Sequence, residues 1–107
     1  MTTIDYVTVT TTTDNEDEAT RLAETAVTAR LAACAQISNI ASTYWWQGKV
    51  ETAEEYRIDY KTAAALAERL TAHLKSVHSY DTPEVIVTPI LGGNPAYLDW
   101  ISAETVG

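Results

Sequence analysis

One cysteine, three prolines and four glycines are all that 107 residues contain of the residue types that most constrain a chain. A lone thiol, Cys34, allows no intrachain disulfide, so a reducing compartment is expected, the cytoplasm by default. Basic residues are scarce as well: seven Lys and Arg face fifteen Asp and Glu, a formal net charge of −8 with the acids spread along the chain. Phosphate backbones and anionic lipids are bound through clustered cations, so neither nucleic acid nor a membrane surface is an expected partner. The carboxylate surplus attracts cations or serves solubility. No stretch approaches the roughly 20 apolar residues of a membrane span, and Met1 to Asp5 lacks the basic-then-apolar pattern of a secretory leader. There is no Gly-x-Ser-x-Gly elbow, phosphate loop, dinucleotide fingerprint, Cys-x-x-Cys pair or His-Glu-x-x-His. Without an activated nucleophile or a matched acid and base, an enzyme is not expected.

The scarcity of glycine makes Gly48 conspicuous. It is the only glycine between Met1 and Leu91 and directly follows Tyr44-Trp45-Trp46-Gln47. Beyond it, Tyr56, Ile58 and Tyr60 alternate with Glu55, Arg57, Asp59 and Lys61, the period-two pattern of a half-buried strand. Before it, Ile37, Ile40, Tyr44, Trp45 and Trp46 favour a strand too. The two arms predict a hairpin on the order of 40 Å long. A domain of this size has a radius of gyration of only about 13 Å, so the hairpin should project beyond its own core. Its unpaired edges and aromatic tip invite another copy of the chain, in a closed ring.

The rest reads as one domain spanning residues 1–107. Ile4 to Thr12 predicts a first strand, expected to be central. Glu16 to Leu31 predicts a helix with an apolar stripe of Ala19, Leu22, Ala23, Ala26, Val27 and Leu31. Asn15 is placed to cap it, Glu18 stands three residues on, and Arg30 falls in the last turn. After the hairpin, Thr62 is placed to cap a second helix with Leu66, Leu70, Leu74 and Val77 on one face. Ser79-Tyr80-Asp81-Thr82-Pro83 breaks that helix. Glu84 to Leu91 predicts a short strand, and Asn94-Pro95 opens a terminal helix whose Tyr97, Leu98, Trp100 and Ile101 are expected to pack inward. The order strand, helix, strand, strand, helix, strand is an α+β, ferredoxin-like βαββαβ arrangement with a long second hairpin and a short C-terminal helix. Both main helices cover one sheet face, which leaves the other bare.

Two side chains have the chemistry of soft or borderline metal ligands. Cys34 follows the first helix and His78 ends the second. Both lie in helix-to-strand connections and are expected at one end of the sheet, with Asp81 or Glu84 available to complete a site. Two ligands are not a site, and a lone cysteine is ordinarily packing. A histidine at a helix C-terminus has a structural reason to be there as well. His73, between Leu70 and Leu74, fits a solvated surface residue. Adjacent tryptophans on a hairpin fit an interface core or the wall of a ligand cleft.

Taken together, Ala29-Arg30-Leu31-Ala32-Ala33-Cys34, Tyr44-Trp45-Trp46-Gln47-Gly48-Lys49, Lys61-Thr62, His78-Ser79-Tyr80-Asp81-Thr82-Pro83-Glu84 and Gly93-Asn94-Pro95-Ala96-Tyr97-Leu98-Asp99-Trp100 resemble the CutA family of divalent-cation tolerance proteins. The motifs occur in order over nearly the whole chain and are jointly specific. The resemblance implies a homotrimer built by inter-subunit strand pairing of the hairpins, similar in architecture to PII signalling proteins, and a role in tolerance of copper and other divalent metals. It implies binding of copper or another divalent cation at the positions of Cys34 and His78, to which the nearby carboxylate of Glu84 is added as a third expected ligand. Tyr44, Trp45, Trp46, Lys49, Lys61, Tyr80 and Trp100 are then expected to line clefts or contacts between subunits. Two departures remove soft ligands: Val77 precedes His78 where some members have a second histidine, and Thr10 to Thr13 lack a cysteine that some carry. The other functions compatible with this architecture are a small-molecule sensor with inter-subunit clefts and a scaffolding trimer without a ligand.

Overall fold

The computed structural model describes residues 3–106. Strands β1 (Tyr6–Thr13), β2 (Cys34–Trp46), β3 (Lys49–Ala63) and β4 (Val85–Ile90) form one antiparallel sheet in the order β2-β3-β1-β4. Helices α1 (Glu16–Thr28) and α2 (Ala67–Val77) carry the two crossovers, and α3 (Pro95–Glu104) follows β4. This is the split βαβ order expected from the sequence, with β1 central and β2 and β4 at the edges.

The helix-covered face holds the core. Val7 and Val9 from β1 and Ile58 and Tyr60 from β3 alternate inward and meet Leu22 and Ala26 of α1 and Leu70 and Leu74 of α2. The alanines of α1, Ala19, Ala23 and Ala26, are buried, and their small side chains let its backbone approach the sheet. The Tyr60 hydroxyl reaches across that gap and donates to the Leu22 carbonyl at 2.9 Å, so its burial leaves no orphan donor.

The expected caps form at two helix starts. Asn15 Oδ1 accepts from Glu18 N at 2.8 Å, and Asn94 Oδ1 accepts from Ala96 N at 3.0 Å beside Pro95. Three local expectations fail. Helix α1 stops at Thr28 rather than Leu31, because Arg30 takes a left-handed φ of 58°. Leu31 N then bonds Ala26 O and Arg30 N bonds Val27 O, the paired contacts of a Schellman stop. Thr62 does not cap α2: it lies inside β3, where its hydroxyl donates to Leu31 O at 2.7 Å, and a 3-10 turn at Ala64–Leu66 starts the helix instead. Of the terminal-helix residues expected to pack inward only Ile101 is buried, while Tyr97 and Trp100 stay exposed on this chain.

The hairpin is as long as the sequence suggests. Its ladder runs from Cys34 opposite Lys61 to Trp46 opposite Lys49, and Gln47 and Gly48, at φ 50° and 81°, make the turn. Strand β1, however, ends where Thr13 faces Tyr56, so among the described residues the segment of β3 from Lys49 to Glu55 pairs with β2 alone. This two-stranded ribbon gives the molecule its 44 Å long axis and a radius of gyration of 14.5 Å. At its end Trp45 is 76% and Trp46 59% exposed.

Replacing Ile58, fully buried in the core, by alanine removes buried methylenes and leaves a cavity. Ile58→Ala is expected to cost about 2–5 kcal/mol, measured as a lowered denaturant midpoint at unchanged slope.

Candidate functional site

The C-terminal end of β1 is the most heavily bonded polar locus. Glu18, in the first turn of α1, is almost fully buried, and its carboxylate accepts from the Thr13 hydroxyl of β1. It also accepts from Ser79 N at 2.9 Å and from Ser79 Oγ at 2.8 Å, while Arg21 stands 3.5 Å away. The capping-box geometry suggested by the spacing is therefore only half made: Asn15 caps the Glu18 amide, and the Glu18 side chain turns inward to hold the loop after α2. Burial raises the Glu18 pKa. The donors from Thr13 and Ser79 and the nearby His78 outweigh it, so the net shift is downward.

His78 sits on the same loop with both ring nitrogens engaged. Nδ1 accepts from Tyr80 N at 3.0 Å, which places the ring proton on Nε2, 2.8 Å from the Thr12 carbonyl. The imidazole packs against Tyr80 with ring centroids 4.8 Å apart. Tyr80 in turn donates its hydroxyl to Glu55 Oε2 at 3.1 Å, and burial followed by the Glu55 carboxylate drives its pKa well above the usual range. Glu84 closes the loop through its carbonyl, which accepts from Thr11 Oγ1 at 2.7 Å, and its side chain borders the open sheet face beside Thr10, Arg57 and Asp59.

Cys34 lies elsewhere. It faces Lys61, which faces Thr8, whereas His78 is bonded to Thr12. Four residues along β1 are about 13 Å, and the two intervening strand spacings add a lateral offset of about 10 Å. A metal ion reaches its ligands at ~2.0–2.3 Å and cannot span that gap. The expectation that Cys34 and His78 share one end of the sheet is thus corrected. In a split βαβ unit the two helices run antiparallel, so their C-termini lie at opposite ends. Among the described residues no group of three or more His, Cys, Asp and Glu is placed to hold an ion.

At its own end Cys34 is part of an aromatic cluster. Its sulfur is 3.6 Å from the Tyr97 hydroxyl, and Tyr97 lies against Trp100 with centroids 5.4 Å apart. The hydrogen bond to Cys34, then burial, pushes the Tyr97 pKa up. Lys61 is on the same sheet face, donating to Gln36 Oε1. Tyr44, Trp45, Trp46 and Lys49 belong to the outer part of the ribbon, so the residues expected to line clefts or contacts between subunits occupy three separate regions of the chain. His73 is half-buried and within 3.3 Å of Thr25 Oγ1, a link between the helices rather than a solvated surface group. Glu18 is the participant that spacing concealed: its role as a cap partner was visible, its contact with Ser79 was not.

The matching family model, "CutA1 divalent ion tolerance protein", covers residues 7–104. The chain is 44% identical over 105 residues to "Protein CutA 1, chloroplastic" of Oryza sativa subsp. japonica, covering 97% of this chain and 59% of that protein. It is 40% identical over 87 residues to the "Divalent-cation tolerance protein CutA" of Pectobacterium atrosepticum, covering 80% and 79%. The crystal structure of CutA1 from Oryza sativa superposes with a TM-score of 0.92 at 43% identity over 99% of this chain and 98% of that one. The structure of CutA from Synechococcus elongatus superposes with a TM-score of 0.93 at 36% identity over 99% and 95%. The chain spans 53% of the Arabidopsis thaliana relative, so the chloroplast proteins are substantially longer.

Because the Glu18 pKa is depressed on folding, its contribution to stability is present above the unfolded carboxylate pKa of about 4.3 and fades as pH falls through the lower folded value. Glu18→Gln is expected to destabilise by about 1–3 kcal/mol at pH 7, with the deficit shrinking below pH ~4. Denaturant titrations of both proteins at pH 7 and at pH 3 check it, and a deficit equal at both would refute the carboxylate assignment.

Proposed function

The chain belongs to the CutA1 divalent ion tolerance family, and from that premise we propose that it is a non-enzymatic, trimeric protein of divalent-cation tolerance. The observation that carries this reading is the family match over residues 7–104 together with a sheet whose edges and tip lack cover. Ile86 and Val87 of β4 and Leu91 after it are exposed, Leu91 at 83%, beside the unpaired edge of that strand. Unpaired ladder groups flanked by apolar side chains favour strand addition by a neighbour, and a closed ring of such contacts avoids a filament. We place the protein in the cytoplasm, in keeping with its single thiol.

The cation contact proposed here is weak and rests on one soft ligand. Copper or zinc requires a free lone pair, and His78 has committed Nδ1 to Tyr80 N and the Nε2 proton to Thr12 O. Cys34 keeps a partly exposed sulfur, and the surplus of carboxylates draws cations toward the surface without fixing them.

A second reading is supported by the cluster of Cys34, Lys61, Tyr97 and Trp100. Two aromatic faces of α3, a thiol and one cation on the sheet face away from α1 and α2 form an unfinished wall, and a neighbouring subunit would close it into a cleft for a small anionic or aromatic metabolite. In that case the protein is a sensor whose hairpins report occupancy.

Native mass spectrometry is expected to give three times the 11.7 kDa chain. Calorimetry with Cu(II) and Zn(II) is expected to show weak binding that Cys34→Ser abolishes and His78→Ala leaves unchanged. Equal heats for the native protein and Cys34→Ser would remove the cation site, and a monomer at micromolar concentration would remove the assembly.

A further inference from the structure

The ribbon, residues 40–46 and 49–55, leaves the body without a third strand beside it. Within the ribbon Thr43 meets Thr52, while Asn39 at its root donates to Glu54. Beyond that bond at the root, the ribbon is tied to the loop after α2 by Tyr80 Oη, which donates to Glu55 Oε2 at 3.1 Å. Glu55 is the first ribbon residue beyond Tyr56, where pairing with β1 ends. The bond therefore sits at the hinge.

Tyr80 is itself held from three directions. Its amide is tied to His78 Nδ1, its ring lies against the His78 ring, and the preceding Ser79 is bonded through both N and Oγ to Glu18. His78 is anchored to the Thr12 carbonyl, one residue from the end of β1. An arm of this kind, rigid at its base and bonded at its tip, transmits position rather than merely adding a contact.

We propose that Tyr80 is a strap: a positioning residue that sets the angle at which the ribbon leaves the sheet, with Glu18 and His78 as its footing. The proposal stands apart from cation binding and gives His78 a mechanical role. It also ties the loop after α2 to the geometry with which the ribbon meets a neighbour, so that whatever displaces that loop re-aims the hairpin.

Spin labels report the angle directly. In a Cys34→Ser background, labels at Gln47→Cys on the tip and Ser76→Cys on α2, in assemblies diluted with unlabelled chain, give the distance distribution by pulsed electron resonance. Tyr80→Phe is expected to broaden and shift that distribution, and Glu55→Ala to reproduce the change. Glu55→Gln, which keeps an acceptor oxygen, is expected to retain the native distribution, and the Glu55→Ala, Tyr80→Phe double variant to look like either single one. An unaltered distribution in Tyr80→Phe, or additive changes in the double variant, would overturn the strap. Native mass on the same samples reports subunit number separately, so loss of assembly and loss of the strap are told apart.

Discussion

Strand β3 has fifteen residues and its inner neighbour β1 has eight, and from that inequality most of the molecule follows. Among the described residues, the seven in excess, Lys49 to Glu55, find ladder partners in β2 on one side and no strand on the other. A two-stranded ribbon is marginal in water unless something packs on it. The turn at Gln47-Gly48 and the cross-strand pairs Trp45–Val50 and Thr43–Thr52 hold its register, yet they bury little. The exposed tryptophans and open edges are the physical complement of a short β1.

The root of that ribbon, where β1 ends at Thr13, carries the densest side-chain bonding. Glu18 places a carboxylate out of water, a costly step that three donors offset. Its position is set by α1, its donors come from β1 and from the loop after α2, and so one side chain joins three elements separated by up to 61 residues in sequence. Among the described residues no buried side-chain nitrogen or oxygen lacks a partner, so this polar knot is complete. A complete network is stiff, and stiffness there is what lets Tyr80 act on Glu55.

Period and punctuation made the element order, the long hairpin and the Asn15 and Asn94 caps legible in the sequence, because each is a local effect of a few neighbouring residues. Arg30 was opaque for the opposite reason. Its left-handed φ is normally assigned to glycine or asparagine, and here it is held by tertiary bonds, with its carbonyl accepting from Val106 N and its guanidinium reaching Glu104. Thr62 looked like a cap by residue type, but the register of β3 sets its hydroxyl to donate to Leu31 O rather than to accept from a helix amide. The contact between Glu18 and Ser79 carries no local signature at all. Nor does the placement of Cys34 and His78, which depends on the direction in which each helix runs.

Opposite ends of one sheet become neighbours when subunits are arranged head to tail, so the separation of Cys34 from His78 within a chain does not by itself keep them apart in a ring. What decides the matter is valence. In any ring that brought the imidazole near another subunit's thiol, its Nδ1 lone pair would already be accepting from Tyr80 and its proton already donated to Thr12. To ligate an ion it would have to break one of these bonds and loosen Tyr80, and with it the hold on Glu55. Ligation by His78 and a fixed ribbon angle are therefore competing states of one loop, and the bonds present in this structure favour the second.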